Sequence, residues 1–182
     1  DLPASISVST NGYWDKRKLQ WMMDNMDEIS LSCDGIPVVQ NSQRPLRSGG
    51  ETFDRVFETI RMLDKRKKAY GIRLTVTESA IDALPESILF FCKETACQSF
   101  QAEPAFDHGR AKWNGTALVN QQRFIRSFLA AYDIAGNYGR KLFYSGARPE
   151  LLTDSFCQAP LNALVVSNKG QLTACYEVFD PS

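Results

Sequence analysis

The sequence has no excess of charge of either sign, almost no histidine and no long apolar run. Its 182 residues include 21 basic residues, 21 acidic residues and one histidine, His108. A balanced charge argues against the large basic surface that binds nucleic acid. No apolar run approaches the roughly 20 residues that cross a bilayer. We therefore expect neither nucleic acid nor a membrane among its partners, and no hydrolase zinc site built on several histidines.

Cysteine is present in an odd number, and the cysteines are far apart. An odd, widely spaced set argues against the disulfide framework of a small secreted protein. It favours a reducing compartment, so we expect a cytoplasmic protein. Cys33 and Cys92 lie in apolar segments and are predicted to be small buried residues. The full set comprises Cys33, Cys92, Cys97, Cys157 and Cys175.

The first two-thirds of the chain alternates strand and helix patterns. Such alternation predicts an α/β fold with a parallel sheet and right-handed crossovers. We expect ligands at the carboxyl ends of the strands, where the loops are longer and more polar. Four parallel strands are too few to close a barrel, which is one sign that the sequence is a fragment. The patterns place strands at 6–10, 28–33, 72–77 and 97–105, a loop at 36–50, and helices beginning near 15, 51 and 80.

After the fourth predicted strand the pattern changes. Residues 120–140 have helical spacing of apolar residues, and a β-hairpin is predicted further on, from two apolar segments that flank Asn168-Lys169-Gly170. We therefore predict one domain over 1–145 and the start of a second over 146–182. Because the sequence begins directly at a strand and stops after the hairpin, we also expect it to be a piece of a longer protein.

Cys157 and Cys175 bracket this predicted hairpin in the pattern C-x12-G-x4-C, with Gly170 in the turn. A tight turn can bring both thiols to one iron–sulfur cluster or zinc ion, although two thiols supply only half of the four ligands needed. The residues alone leave metal ligands and buried structural cysteines both open. The spacing resembles the opening of the SPASM auxiliary domain of radical S-adenosylmethionine (SAM) enzymes.

Three further segments resemble the barrel of that family. STNGYW at 9–14 is similar to its third strand, SLSCDGIPVVQNSQRPLRSGGETFDRV at 30–56 to its fourth strand and following loop, and SFQAEP at 99–104 to its sixth strand. The resemblance implies that Ser32 and Arg44 hold the SAM carboxylate. It also implies cofactor-binding positions at Thr10, Asn11, Gln101 and Glu103, and metal ligands at Cys157 and Cys175.

The resemblance implies a partial TIM-type barrel followed by the β-hairpin start of a SPASM domain. The parent protein would use SAM and [4Fe–4S] clusters to modify a peptide or protein through a 5′-deoxyadenosyl radical. The family's C-x3-C-x2-C motif is absent from the sequence and would lie upstream of Asp1, so we expect this piece alone to bind no cluster and to be inactive. No catalytic residue is assigned.

Two departures and two alternatives accompany this interpretation. Gln40-Asn41 stands where relatives often carry His-Asp. Tyr176 stands where sulfatase-maturing relatives often carry aspartate, which puts formylglycine formation in doubt. The first alternative is a non-catalytic α/β module that binds a peptide at a strand edge. The second is a phosphate-binding barrel enzyme, suggested by Ser48-Gly49-Gly50 before a helix.

Overall fold

The computed structural model describes residues 4–106, 118–147, 152, 164–167 and 169–173. The chain divides into two compact units, Asp1–Ala147 and Arg148–Ser182. In the part of the chain that is described, no helix is long and apolar enough to cross a membrane.

The described part of the first unit contains five parallel strands in chain order, β1-β2-β3-β4-β5. The sheet has one more strand than the sequence predicted, because β5 is only three residues long and carries too little apolar pattern to be recognised. The strands are β1 (Ser7–Thr10), β2 (Glu28–Ser32), β3 (Tyr70–Val76), β4 (Ser99–Pro104) and β5 (Lys141–Phe143).

Helices connect successive strands, as the alternation predicted. The helices are α1 (Lys16–Asn25), α2 (Pro37–Gln43), α3 (Phe53–Lys65), α4 (Leu84–Glu94), preceded by a 3-10 turn over Glu78–Ala83, and α5 (Gln121–Asn137). Helix α1 begins where Asp15 accepts a hydrogen bond from the Lys18 amide at 2.8 Å, a standard N-cap. The same bond lowers the pKa of the Asp15 carboxyl.

Helix α2 corrects the sequence prediction of a loop over 36–50. Proline is suited to the first helical position, because the backbone N–H that it lacks would have no partner within the helix there. The helix has only seven residues, of which Val39 and Gln40 are buried. So short an apolar stripe gives no helical period to recognise.

The core lies between the helices and one face of the sheet. Most of the largest fully buried side chains come from the strands, α3 and α4, and Phe91 of α4 stacks on Phe100 of β4 with ring centroids 6.1 Å apart. Burying such side chains contributes roughly 1.5–3 kcal/mol each. Cys33, Cys92 and Cys97 are buried in this core as free cysteines, which confirms the prediction for Cys33 and Cys92.

In the second unit, β6 (Val165–Val166) pairs antiparallel with β7 (Leu172–Thr173). Gly170 closes the turn with a φ of +77°, a conformation that glycine adopts without steric cost. The hairpin predicted from the sequence is therefore present. The assignment of this unit to the start of a SPASM domain remains a prediction, as does the domain boundary at 145/146.

Candidate functional site at the carboxyl edge of the sheet

The two faces of the sheet differ in polarity. Residues paired across parallel strands share a face, and neighbours along a strand alternate. The face that carries Ile29, Leu31, Ile72, Leu74 and Phe100 is buried under the helices. The opposite face is hydroxyl-rich and partly open to solvent. Its residues in the three middle strands are Glu28, Ser30, Ser32, Gly71, Arg73, Thr75, Ser99, Gln101 and Glu103.

A cavity of about 540 Å³ lies at the carboxyl ends of strands β1 to β4. This volume is within the roughly 300–1,000 Å³ of ligand pockets, and the position is where parallel α/β folds bind ligands. Most of its lining residues carry a polar side-chain group. The lining residues are Asn11, Tyr13, Asp34, Gln40, Gln43, Arg44, Pro45, Leu46, Arg47, Thr52, Val56, Thr75, Thr77 and Ala105.

An ion pair between a buried carboxylate and a partly exposed guanidinium forms part of the cavity wall. Arg44 donates from Nε to Oδ2 of Asp34 at 2.6 Å and from Nη2 to Oδ1 at 3.0 Å. Oδ1 of Asp34 also accepts from the Thr75 amide at 2.9 Å, and Nη2 of Arg44 donates to Oγ1 of Thr75 at 3.2 Å. The pair ties the β2–α3 connection to β3. It uses two of the three guanidinium nitrogens of Arg44, and Nη1 has no partner among the residues that the structure describes.

Two residues without an assigned role in the sequence prove to organise this connection. Oε1 of Gln40 accepts from the Asp34 amide at 2.8 Å, and Nε2 of Gln40 donates to Oγ1 of Thr52 at 3.2 Å. Oδ1 of Asn41 accepts from the amides of Thr52 and Phe53 at 3.0 and 2.9 Å. Asn41 therefore caps α3 from a distance in sequence, which no local pattern reveals.

The cap bears on the phosphate-binding alternative. An anion at the start of α3 would need the free amides there. Asn41 already occupies two of them, and Asp54 in the first turn adds a negative charge. The geometry disfavours a phosphate site at the start of α3.

Gln43 leaves an acceptor unused inside the cavity wall. Its Nε2 donates to the Thr75 carbonyl at 3.4 Å. Its Oε1 is buried and has no hydrogen-bond partner among the described residues. A buried acceptor without a partner costs about 1–3 kcal/mol. A ligand that donates a hydrogen bond here would remove that cost.

Ser32, Thr10 and Asn11 lie near the cavity but face different ways. Ser32 ends β2 on the polar face, directly beside Arg73 of β3. Thr10 is paired with Leu31 and so shares the helix-covered face, and its Oγ1 accepts from the Gly12 amide at 3.2 Å. Asn11 lines the cavity. Cofactor binding by these three residues remains a prediction.

Gln101 and Glu103 lie together on the polar face of β4, as alternation along a strand requires. Nε2 of Gln101 donates to Oε1 of Glu103 at 2.7 Å. The amide and hydroxyl of Ser145 also donate to the Glu103 carboxylate, both at 2.9 Å. Three donors therefore satisfy this carboxylate within the protein. Neither residue lines the cavity.

The described cysteines are unsuited to metal binding. Burial raises the pKa of the Cys33 thiol to about 12 and that of Cys97 to about 11, so both remain protonated at neutral pH. Within the described ranges no group of three or more His, Cys, Asp or Glu residues could hold a metal ion. Cys157 and Cys175, the predicted metal ligands, lie outside those ranges, as does His108.

Comparison with known proteins gives structural matches only. No family model and no curated protein matches this sequence. A domain of pyruvate-formate lyase-activating enzyme from Bacteroides vulgatus ATCC 8482 matches with a TM-score of 0.58 and 14% identity, over 77% of this chain and 80% of that one. Native anSMEcpe with bound AdoMet and Kp18Cys peptide matches with a TM-score of 0.62 and 22% identity, over 76% of this chain.

The match to SuiB of Streptococcus suis extends furthest along this chain among these structures. It covers 94% of this chain, with a TM-score of 0.67 and 14% identity. This chain spans 44% of the length of SuiB and 40% of the length of anSMEcpe. These neighbours are radical SAM enzymes. Identities this low show the fold alone, and that fold is the partial TIM-type α/β barrel which the sequence predicted.

Proposed function

We propose that this chain is part of a radical SAM enzyme that modifies a peptide or protein. The observation that carries the proposal is the polar cavity at the carboxyl edge of a five-stranded parallel sheet whose fold radical SAM enzymes share. Sequence motifs contribute independently, since STNGYW and SLSCDG span the carboxyl ends of β1 and β2, SFQAEP is β4 itself, and the three occur in the order of that family. The modification itself, and the substrate, follow from the resemblance and from the peptide named with anSMEcpe.

The residues around the cavity suit the amino-acid end of SAM. That end carries one carboxylate and one ammonium group, so it needs donors and an acceptor. Ser32 and Nη1 of Arg44 are donors without a partner among the described residues, and Oε1 of Gln43 is a buried acceptor without one. A site with both kinds of unused group fits a zwitterion.

Each residue predicted from the resemblance has a place in this proposal. Ser32 and Arg44 would bind the carboxylate of SAM, and Asn11 would line its pocket beside Thr10. Gln101 and Glu103 would face the adenosine from the polar side of the sheet. The Asp34–Arg44 pair would fix the orientation of the guanidinium, because both carboxylate oxygens are bound.

Iron–sulfur chemistry would come from parts of the protein outside the described residues. Cys157 and Cys175 would ligate an auxiliary [4Fe–4S] cluster at the start of a SPASM domain over 146–182. When bound, SAM and a reduced [4Fe–4S] cluster supply a 5′-deoxyadenosyl radical that abstracts hydrogen from a substrate. The residues of this chain would hold SAM and peptide in register and exclude water. A reducing cytoplasm would suit such a protein.

The test uses the complete protein that contains this chain, purified and reconstituted without oxygen. We expect roughly eight irons per chain, for two four-iron clusters, and 5′-deoxyadenosine from SAM on addition of a reductant. A folded, intact protein that binds no iron and leaves SAM uncleaved would contradict the proposal. In that case the non-catalytic peptide-binding alternative would take its place.

A further inference from the structure

Arg73 is a cation in the middle of a strand, and none of the described residues neutralises it. It lies on β3, on the polar face of the sheet, and its side chain is exposed. Among the residues that the structure describes, it makes no side-chain hydrogen bond and no ion pair. Arginine at such a position commonly serves to bind an anion, because its planar fork matches a carboxylate.

Arg73 stands between two polar neighbours at the same level of the sheet. Ser32 of β2 and Gln101 of β4 are its register partners. Adjacent strands are about 4.8 Å apart, so the three side chains begin within one short row on one face. The Ser32 hydroxyl also makes no hydrogen bond to any described residue. The row therefore presents a free hydroxyl beside a free guanidinium.

Of the acidic groups on β2 and β4 or directly after β2, two are already bound elsewhere and the third lies at the far end of β2. Glu103, two residues beyond Gln101 on β4, accepts hydrogen bonds from Gln101 and Ser145. The Asp34 carboxylate accepts from Arg44 and the Thr75 amide. Glu28 lies at the opposite end of β2 from Ser32, four residues away. No described carboxylate is thus left to neutralise Arg73.

We propose that Ser32 and Arg73 together bind a carboxylate on the polar face of the sheet. The inference rests on the function proposed above, which offers two sources of the carboxylate: the methionine end of SAM or an acidic side chain of the peptide substrate. In the first case Arg73 takes the role that the sequence resemblance gives to Arg44. Assigning the SAM carboxylate to Arg73 is physically reasonable because Nε and Nη2 of Arg44 already donate hydrogen bonds to Asp34.

The first arm of the test compares SAM with decarboxylated SAM, which lacks only the carboxylate. Dissociation constants are measured by calorimetry on the complete protein, prepared without oxygen, for wild type and Arg73→Gln. Arg73→Lys keeps the charge without the fork, and Arg17→Gln on α1 removes an equal charge from an exposed site. An arginine–carboxylate pair should make SAM bind roughly 10- to 100-fold more tightly than decarboxylated SAM. Of the three variants, only Arg73→Gln should abolish this preference.

The second arm uses N-acetylglutamate and N-acetylglutamine, each blocked as its α-amide so that the two differ only in the side-chain carboxylate, and follows backbone amide shifts in NMR spectra. If SAM binding is unchanged in Arg73→Gln but the response to N-acetylglutamate disappears, the carboxylate belongs to the substrate. If neither ligand pair depends on Arg73, the proposal is wrong. Failure of wild type to bind either form of SAM would instead refute the proposed function, while the N-acetylglutamate arm still decides the role of Arg73.

Discussion

Replacing Asp34 with asparagine removes the charge from the ion pair in the cavity wall and nearly preserves its shape. The Asp34 side chain is 2% exposed and that of Arg44 is 30% exposed. Asparagine presents one oxygen and one NH₂ group where aspartate presents two oxygens. At least one N–H donor that Asp34 now accepts from would therefore face the NH₂ group and lose its hydrogen bond. The Arg44 guanidinium is left without its counter-charge beside the cavity.

Burial sets the size of the expected effect. Removing one partner of a fully buried ion pair costs roughly 3–5 kcal/mol. Water reaches the partly exposed guanidinium of Arg44 and recovers some of that energy. We therefore expect Asp34→Asn to lower the free energy of unfolding by about 2–3 kcal/mol.

Urea denaturation followed by circular dichroism measures this difference. Glu58→Gln is a matched control, because Arg55 and Glu58 also form a pair at 2.7 Å but Glu58 is 46% exposed. That control should change stability by less than about 0.5 kcal/mol. A double-mutant cycle with Arg44→Gln isolates the pair. An Asp34→Asn effect no larger than that of Glu58→Gln would refute the claim that this ion pair stabilises the β2–α3 connection.

Three further predictions follow from other contacts. Asn41→Ala should lower stability by about 1–2 kcal/mol in the same denaturation assay, because two amides at the start of α3 lose their acceptor, whereas Asn41→Asp should retain most of it. Gly35→Ala should cost more than Gly170→Ala on thermal unfolding, because a Cβ at Gly35 would lie 2.3 Å from Oγ of Ser87 whereas one at Gly170 meets no atom of the described residues within 4 Å. Cys33 should react with iodoacetamide at pH 8 only in urea, as mass spectrometry can map. Its thiol pKa rises from 9.0 to about 12 on folding, so stability should fall as pH rises from about 9 towards 12, and Cys33→Ala should reduce that slope.

The strand and helix alternation was predictable because it rests on local patterns. The alternation of Ile29 and Leu31 indicates a strand packed against a core. The spacing of Val56, Ile60 and Leu63 indicates a helix packed against the same core. Short elements without a turn signal were missed, whereas the two-residue strands β6 and β7 were found through the turn between them. Helix α2 was predicted as a loop and β5 was overlooked, since seven and three residues are too few for periodicity to emerge.

The site was predictable only where residues adjacent in sequence act together. The segment SLSCDG pointed to Ser32, and the structure places Ser32 at the end of β2 on the polar face. The contacts that shape the cavity join residues far apart in sequence. Asp34 meets Thr75, Gln40 meets Thr52, and Arg73 is beside Ser32 only because β2 and β3 pair in this register. No spacing rule contains that information.

The chain-order sheet of the first unit has a consequence for how the protein acquires its structure during synthesis. Each strand pairs with the one made immediately before it, from β1 to β5. A growing chain that leaves the ribosome therefore finds the template for its next strand already in place. Among the described strands of this sheet, none has to wait for a later segment to be inserted between it and its neighbour. The sheet can thus grow by accretion, one strand and one helix at a time, with the most recent strand always serving as the growing edge.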